Sequence, residues 1–375
     1  MSTLPAIAIN GRFLAQTPSG VQRFALELVR ALDELLCGQA EAPPIELLVP
    51  DDAQYLPPLR VLQVRHVAGR GGHLWDQRLR RHCAPDTLMV HLANGGCILR
   101  GHSLTVLHDA AVYRTPANFT WAYRTLHRTL GRLLALRARI ATVSAFSRDE
   151  LCALLGLEAR EVPVIPNAWE HLARVQPDGG VVARLGLQPG RYFLTIGSPA
   201  PNKNLQRAIA GFLQLGLTDE RLVIVGRLDA AVFGAGVSTP PPQVLMAGRL
   251  SDAEVAGLLQ QARALVFPSL YEGFGIPPLE AMLYRCPVLA SDIPVVREVC
   301  GAAALYFDPL RPEVIAAALR RAIDQPALLQ QLRERGTAQL QRYSWQHSAQ
   351  LLLAVLRQMA AQPVSPLQPR TKALP

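Results

Sequence analysis

Short apolar runs alternate with longer amphipathic stretches along most of the chain. Residues 6–10 form an apolar run of strand length. The following "TPSGVQRFALELVRALDELL" opens at a Ser-Gly turn and repeats apolar residues at helical spacing. The alternation restarts in the second half at "RYFLTIGS" and continues through "RLVIVG", "ALVFPS" and "CPVLAS". Because strands separated by helices are typical of parallel sheets covered on both faces, the pattern predicts an α/β protein with two Rossmann-like domains in series.

Length and a change of composition divide the chain. At 375 residues and 40.9 kDa it is long for a single core. Residues 170–190 are polar, rich in Gly and Pro and weakly patterned, which is typical of a linker. We therefore expect residues 1–170 to form an N-terminal domain and residues 171–360 a C-terminal domain. The Pro-rich residues 361–375 are predicted to form a disordered tail.

The distribution of positive charge is more informative than its total of +9. The stretch "WAYRTLHRTLGRLLALRAR" places Arg124, Arg128, Arg132 and Arg139 near one face of a predicted helix. This is either a solvated helix face or a surface that meets anionic lipid headgroups or an anionic acceptor. No nucleic-acid recognition motif accompanies the charge, so nucleic acid is not expected as a partner.

The N-terminus and the cysteines indicate a compartment. "MSTLPAIAIN" lacks the basic region and long apolar run of a signal peptide, and no window reaches the apolar length of a transmembrane helix. The six cysteines show neither a CxxC pair nor metal-ligand spacing. We therefore expect a cytoplasmic protein with reduced thiols and no metal site of this kind.

The stretch "FPSLYEGFGIPPLEAM" carries the most distinctive chemistry. It places two carboxylates across a strand-to-helix turn, Glu272 just after the strand and Glu280 in the first turn of the helix, with Gly273, Phe274 and Gly275 between them. Backbone N–H groups beside a helix N-terminus suit an anion, and "GSPAPNKNL" places a lysine at the start of another helix in the same way. Taken singly, each piece is explained by a turn or by a solvated helix residue. Together, at the carboxyl ends of strands, they predict a phosphate and sugar site.

The same stretch resembles the E-x7-E motif of retaining GT-B glycosyltransferases. The similar family is the large family four, which contains many bacterial mannosyl-, glucosyl- and galactosyltransferases. "PSGVQRFALELVRAL", "ATVSAFSRDEL", "IGSPAPNKNL" and "PVLASDIPVVREVCGAAALYFDP" extend the resemblance over nearly the whole chain. It implies two Rossmann-like domains facing across a cleft, the first binding the acceptor and the second the nucleotide sugar. It also implies a last helix, at about residues 344–360, that packs back on the first domain.

The resemblance implies roles for individual residues of the second domain. Lys203 would bind the donor pyrophosphate and compensate the charge that develops as the nucleotide leaves. Glu280 would accept hydrogen bonds from the two ribose hydroxyls, and Glu272 would lie by the hydroxyls of the donor sugar. The N–H groups of Phe274 and Gly275 would hold the sugar or phosphate.

The other donor-site candidates either depart from the family pattern or are assigned only by their place in the sequence. Ser198 lies where many relatives carry an arginine, which leaves half of the usual phosphate clamp unassigned. Arg227, after "VIVG", would substitute for it. By similarity, Arg249 and Leu250 lie near the nucleobase.

The first domain contributes three candidates. Gly20 would let the backbone approach the diphosphate without a side chain in the way. His108 in "LHDAAV" would point at the donor sugar near the reacting face, although a lone histidine after a strand also has a structural explanation. Asp109 would either orient His108 or cap a helix.

The chain contains no D-x-D, the acidic pair that holds a metal and nucleotide in the other major transferase fold. We therefore expect no metal and no cofactor, with lysine and helix-end dipoles taking the place of the metal. The resemblance implies retention of anomeric configuration, with the leaving phosphate helping to deprotonate the acceptor on the same face. Neither Glu272 nor another residue is then needed as a covalent nucleophile.

The identity of the substrates depends on resemblance alone. "GRFLAQTPSGVQRF" and "GHLWDQ" are similar to a subset that acts in bacterial surface-polysaccharide assembly, often with GDP-mannose as donor; UDP-sugars and GDP- or dTDP-deoxysugars stay open. The implied acceptor is a lipid-linked saccharide at the inner face of the cytoplasmic membrane, which predicts peripheral association there. A nucleotide-sugar epimerase and a catalytically silent sugar-nucleotide-binding protein are alternatives. A dehydrogenase is disfavoured because no G-x-G-x-x-G follows the first strand.

Overall fold

The chain folds into two units, each built on one parallel sheet. The computed structural model describes residues 5–39, 43–226 and 241–361, and the structural statements below concern those residues. The first unit runs to Asn167 and takes up the chain again from Trp345, and the second comprises Ala168–Ser344. Each unit is described by itself.

The sheet of the first unit has six parallel strands in the order β3-β2-β1-β4-β5-β6. The strands are β1 (Ile7–Asn10), β2 (Ile45–Val49), β3 (Gln63–His66), β4 (Leu88–His91), β5 (Ser103–Val106) and β6 (Arg139–Ala141). Every residue of β1, β4 and β5 is buried, as expected for central strands covered on both faces. β3 lies at the edge, and most of its residues are exposed.

Helices cover this sheet, and the last helix of the described chain belongs to the same unit. The helices are α1 (Gly20–Leu36), α2 (His73–Arg78), α3 (Ala111–Arg114), α4 (Trp121–Arg137), α5 (Ala145–Leu155) and α14 (Trp345–Ala360). α14 packs on α1, where the rings of Phe24 and Trp345 meet edge to face at 6.0 Å. The Ser348 hydroxyl also donates to the carbonyl oxygen of Pro166 over 2.7 Å.

The second unit repeats the plan. Its parallel sheet has the order β12-β11-β10-β7-β8-β9, which from β9 to β12 is the same sequence of steps as in the first sheet. The strands are β7 (Tyr192–Ile196), β8 (Arg221–Val225), β9 (Val244–Gly248), β10 (Ala264–Phe267), β11 (Val288–Ser291) and β12 (Ala304–Phe307). The helices are α6 (Glu170–Ala173), α7 (Val181–Arg184), α8 (Leu205–Leu213), α9 (Asp252–Gln261), α10 (Ile276–Leu283), α11 (Pro294–Cys300), α12 (Pro312–Asp324) and α13 (Pro326–Leu340).

Both sheets have the doubly wound order of Rossmann folds, so the predicted α/β class with two Rossmann-like units is confirmed. In each sheet the order reverses between two neighbouring strands, β1 and β4 in the first and β7 and β10 in the second. Ligands bind such folds beside the carboxyl ends of the strands at this reversal. The fold therefore singles out the loops that follow β7 and β10 as the place to look for the predicted donor site.

Some predicted elements differ from the structure. The apolar run "VPVIPNAW" at residues 162–169 predicts a strand ended by Pro-Asn, but the structure shows there only an isolated bridge between Thr142 and Val164. The stretch predicted as a linker contains the two short helices α6 and α7. The predicted disordered tail lies, from residue 362 onwards, outside the described residues. None of the helices in the described ranges combines the length and the apolar character needed to cross a bilayer.

The carboxyl ends of β7 and β8 approach so closely that one position requires glycine. Gly226 has φ +144°, which is unfavourable for a residue with a side chain. A Cβ atom there would lie 1.9 Å from the carbonyl oxygen of Gly197, a backbone atom that cannot move aside alone. Gly226 therefore permits the backbone geometry at the start of the loop that carries Lys203.

We expect Gly226→Ala to lower the free energy of unfolding by at least about 3 kcal/mol, because the added methyl group must displace backbone. Gly216→Ala is the matched control, since Gly216 also has a positive φ of +65° but no atom within 4 Å of the added Cβ. The control should cost about 1 kcal/mol. Chemical denaturation measures both variants, and equal losses would contradict the steric explanation.

Candidate functional site

The loops after β7 and β10 are held together at the reversal point of the second sheet. The backbone N–H of Leu270 donates to the carbonyl oxygen of Asn202 over 2.7 Å. The side-chain amide of Asn202 donates to the Tyr271 carbonyl over 3.0 Å, and that of Asn204 donates to the Pro268 carbonyl over 3.0 Å. Each loop thus donates hydrogen bonds to backbone carbonyls of the other, so the two loops form one rigid support.

Lys203 and Glu272 form a salt bridge across this support. The Nζ atom of Lys203 lies 2.6 Å from Oε1 of Glu272, and the side chains are 25% and 12% exposed. Lys203 ends a 3-10 turn, and Asn204 then takes a left-handed conformation with φ 56° at the start of α8. The structure therefore brings together two residues that are 69 positions apart and that the sequence predicted for one donor site.

The turn before α10 depends on a second glycine. Gly275 has φ +91°, and a Cβ atom there would lie 3.2 Å from the ring of Phe267 in β10. Phe274 is buried, and its ring meets the ring of Tyr343 edge to face at 5.5 Å. Phe274 is thus anchored in the core of the unit, which fixes the backbone of Gly273 and Gly275 on either side of it.

The N-terminus of α10 has fewer hydrogen-bond donors than an ordinary helix. The helix begins at Ile276, and the next two residues are Pro277 and Pro278, which have no N–H group. In its first three residues only Ile276 offers a donor. An anion at this end would therefore be held by the N–H groups of Ile276 and of the preceding turn.

Glu280 lies deeper in α10 than predicted. It is the fifth residue of the helix, so the expectation that it sits in the first turn was wrong; the helix begins at Ile276, directly after the left-handed Gly275. Its carboxylate oxygen Oε1 is 2.8 Å from Nε2 of His171, and the two side chains are 12% and 1% exposed. Sequence reasoning did not find His171, because it lies in the stretch predicted as a linker.

The remaining donor candidates lie after neighbouring strands. Ser198 is exposed in the loop after β7. Arg249 is exposed and Leu250 is half-buried after β9, whose last residue is the left-handed Gly248. Arg227 lies outside the described residues. All the described donor candidates of this unit except Glu280 are therefore in loops or turns at the carboxyl ends of strands.

In the first unit, His108 is buried at the end of β5. Its Nε2 atom donates to the Leu92 carbonyl over 2.9 Å, and its backbone N–H donates to Oδ1 of Asn94 over 2.8 Å. The edge of the ring meets Phe24 of α1 at 4.8 Å. Burial lowers the pKa of His108 to about 4, so the ring is neutral at pH 7 with its proton on Nε2.

The other two candidates of the first unit lie at helix starts. Gly20 is the exposed first residue of α1. Oδ1 of Asp109 accepts the backbone N–H of Ala111, the first residue of α3, over 2.8 Å. This contact is an Asx turn that precedes the helix, whose N-cap residue is Ala110.

A buried polar network at the ends of β1 and β4 was not predicted. Nη1 of Arg12 lies 2.5 Å from Oδ2 of the fully buried Asp76 and 3.0 Å from Nδ1 of His73. Asn10 donates to Asp76 over 2.8 Å and also contacts His91 over 3.0 Å. Burial raises the pKa of Asp76 to about 6 against the opposing effect of Arg12. Burial, with the positive charge of Arg12, lowers the pKa of His73 to about 4 and that of His91 to about 3.

A cavity of about 140 Å³ lies near this network, within the first unit. One side has three rings in succession: Phe119 stacks on Tyr123 at 5.2 Å, and Tyr123 stacks on His127 at 4.0 Å. The polar side chains in its lining include Asp109 and Asn94. Sugars bind to the faces of aromatic rings and to carboxylate and amide groups, so this lining suits a sugar. Among the described residues, no cluster of three or more His, Cys, Asp or Glu side chains is arranged to hold a metal ion.

Comparison with known proteins relates the second unit to a family. Residues 184–339, most of the second unit, match the family model described as glycosyl transferases group 1. The chain is 30% identical over 216 residues to the O-antigen chain mannosyltransferase RfbU of Salmonella typhimurium, which covers 56% of this chain and 58% of that protein. It is 27% identical over 256 residues to the O-antigen chain mannosyltransferase B of Escherichia coli, covering 65% and 67%.

A solved structure shows the same fold. The sucrose-phosphate synthase of Thermosynechococcus elongatus superposes with a TM-score of 0.70 at 17% identity, covering 95% of this chain and 99% of that one. The region matched by the family model, residues 184–339, contains the loops that carry Lys203 and Glu272, and also Glu280. The resemblance predicted from the sequence is thus confirmed at this level, and the second unit carries a domain of the glycosyl transferases group 1 family.

Proposed function

We propose that this protein transfers a hexose from a nucleotide-diphosphate sugar to a glycan acceptor, with retention of anomeric configuration and without a metal ion. The observation that carries the proposal is the salt bridge between Lys203 and Glu272 at the reversal point of the second sheet. A partly exposed lysine there offers a point charge for a diphosphate. The match to the glycosyl transferases group 1 family supports this interpretation.

The salt bridge suggests how a donor enters. The diphosphate replaces Glu272 as the partner of Lys203, whose charge then stabilises the negative charge that builds up on the leaving nucleotide. Glu272, released from Lys203, accepts hydrogen bonds from hydroxyl groups of the donor sugar. The backbone N–H groups of Phe274 and Gly275 lie at the start of α10 and hold the sugar or phosphate.

The nucleoside is held by residues farther along the same edge. Glu280 binds the two ribose hydroxyls as an ionised carboxylate. Arg249 and Leu250 lie near the nucleobase, and Ser198 supports the diphosphate where relatives use an arginine. These assignments follow the family resemblance and the positions of the residues after β7, β9 and β10.

Retention requires that the new bond forms on the face from which the nucleotide leaves. The bond between the anomeric carbon and the phosphate oxygen breaks, and the acceptor oxygen bonds to the same carbon. The leaving phosphate takes the proton of the acceptor hydroxyl, so neither Glu272 nor another side chain acts as a covalent nucleophile. The charges of Lys203 and of the α10 N-terminus take the place of a metal ion in balancing the phosphate.

Mannose is the proposed sugar and GDP-mannose the proposed donor. Two similar proteins are named O-antigen chain mannosyltransferases, and this similarity supports mannose as the transferred sugar. The acceptor is then a lipid-linked saccharide of cell-surface glycan biosynthesis. The first unit binds it, with the aromatic cavity of Tyr123 and His127 as the sugar contact.

The nucleotide role is tested by a thermal-shift panel of GDP, UDP, dTDP and ADP, each with and without Mg²⁺. One nucleotide should raise the melting temperature independently of Mg²⁺, because a ligand that binds only the folded state stabilises it. Lys203→Ala should weaken its binding at least about tenfold through loss of a charged hydrogen bond. Glu272→Gln should keep nucleotide binding while losing transfer from the sugar nucleotide.

The alternatives are separated when the panel is combined with an assay of sugar-nucleotide turnover. Nucleotide binding without transfer to any glycan acceptor would favour a silent binding protein. Conversion of the donor sugar without transfer would favour an epimerase. No shift with any of the four nucleotides, in the presence of a folded protein, would contradict the proposed donor site.

The proposed membrane contact rests on the exposed face of α4. Trp121, Leu126 and Leu136 are 72%, 50% and 43% exposed, and Arg132 and Arg137 are exposed beside them. Apolar side chains flanked by arginines suit the headgroup region of an anionic bilayer.

Two of the four arginines that were expected to form this surface are arranged differently. Arg128 donates from Nε to the Val112 carbonyl and lies over the ring of Tyr113 at 5.4 Å. Arg139 lies beyond α4 in β6 and donates to Gln358. Helical spacing alone predicted a shared face, but these two arginines make intramolecular contacts instead.

We expect Trp121→Ala combined with Leu126→Ala to reduce retention by vesicles containing anionic lipid at least about tenfold at low salt. The reason is that the two alanines bury less apolar area in the bilayer than tryptophan and leucine do. Leu310→Ala is the control, since Leu310 is 59% exposed in the second unit. It should leave vesicle binding unchanged. Wild-type protein that vesicles do not retain would contradict the membrane contact.

Acidification should destabilise the protein through His108. Its folded-state pKa of about 4 lies below the ordinary value of 6.5, so the folded protein excludes a proton that the unfolded chain binds. The stabilisation is therefore present above pH 6.5 and is lost as the pH falls towards 4, by about 3 kcal/mol for this one group. His108→Gln keeps an N–H donor but does not titrate. Denaturation midpoints between pH 7 and 4 should fall less steeply in this variant, and an unchanged slope would contradict the assignment.

A further inference from the structure

His171 and Glu280 connect two segments that lie far apart in the sequence. Nε2 of His171 in α6 is 2.8 Å from Oε1 of Glu280 in α10, over a separation of 109 residues. The histidine side chain is 1% exposed, and the glutamate keeps 12% of its side chain open. The partner of Glu280 is thus buried, while Glu280 itself remains accessible to a ligand.

A second bond holds α6 on α10 without involving Glu280. The hydroxyl of Tyr284 donates to the carbonyl oxygen of Leu172 over 2.9 Å. Tyr284 directly follows the last residue of α10 and lies four residues after Glu280, so the two side chains are neighbours. α6 thus makes two neighbouring hydrogen bonds with this segment, and the His171 bond is the one that reaches the carboxylate.

The chemistry of His171 and Glu280 determines which of them donates the hydrogen bond. An ionised carboxylate only accepts hydrogen bonds, so Nε2 of His171 carries the proton and donates it to Oε1. A glutamate side chain has several rotatable bonds, and holding it in one position costs conformational entropy at the moment a ligand binds. A buried donor that already holds Oε1 removes part of that cost.

We propose that His171 is a positioning residue that orients the Glu280 carboxylate for recognition of the ribose hydroxyls. The proposal rests on the proposed role of Glu280 in donor binding and extends it to a residue outside the E-x7-E stretch. His171 does not touch the nucleotide; it sets the plane of the carboxylate so that Oε2 and the open side of Oε1 face the ribose. The hydrogen bond between His171 and Glu280 then helps the protein to distinguish a ribose from a deoxyribose, although His171 itself does not contact the sugar.

The test compares binding of a ribonucleotide with that of its deoxy counterpart. Calorimetry measures the affinity of GDP, UDP and ADP, and the tightest of them is then compared with its 2′-deoxy form. Wild type should prefer the ribonucleotide by about tenfold, since one hydrogen bond to a charged group is lost in the deoxy form. Glu280→Ala should abolish the preference.

His171→Leu should reduce this preference to less than about threefold, because the carboxylate is no longer held in one orientation. His171→Gln should retain most of it, because its side-chain N–H can reach the same oxygen. His171→Asn, whose amide is shorter, replaces the leucine variant if that protein does not fold. Tyr284→Phe is the matched control: it removes the other anchor of α6 and should leave the preference intact.

The possible failures are distinguishable. An unchanged preference in the His171 variants, with the preference abolished in Glu280→Ala, would overturn the role of His171 and leave the donor site standing. Loss of the preference in Tyr284→Phe to the same extent would show that His171 only holds α6 in place. A preference that persists in Glu280→Ala would overturn the ribose role of Glu280 itself, and with it this inference.

Discussion

The salt bridge between Lys203 and Glu272 depends on one constraint, the adjacency of β7 and β10 in a parallel sheet. Parallel strands end at the same edge, so the loops that follow them meet although they are separated by 69 residues. The amides of Asn202 and Asn204 then fix one loop against the other through backbone carbonyls. The ion pair is therefore held by backbone contacts, and a ligand can replace one member of the pair without rebuilding the loops.

The two units use the same position of the fold for different purposes. At the reversal point of the first sheet, Arg12 and Asp76 form a buried ion pair that Asn10 and His73 complete. Such a pair is costly to bury and still more costly to break, which suits a fixed support. At the reversal point of the second sheet, Lys203 remains 25% exposed, which suits exchange of partners. The two ion pairs therefore differ in how exposed the basic side chain is, and not in the sign of its charge.

Much of this arrangement follows from local patterns in the sequence. Buried strands such as β1, β7 and β10 are mainly apolar runs, and polar residues in the loops after β7 and β10 were predicted as site residues. β3 escaped prediction because most of its residues are exposed at the sheet edge. The contact of His171 with Glu280 and the network around Arg12 also escaped, because each joins residues 61 or more positions apart. Periodicity reports the neighbours of a residue along an element, whereas these contacts are set by how the elements pack.

The central claim is that Lys203 exchanges Glu272 for the diphosphate of a donor. A crystal structure of the protein with the nucleoside diphosphate that binds most tightly tests it most directly. We expect a diphosphate oxygen at hydrogen-bonding distance from Nζ of Lys203, about 3 Å, with Glu272 moved away from its present 2.6 Å contact. A diphosphate bound elsewhere on the second unit, with the salt bridge between Lys203 and Glu272 intact, would contradict the claim.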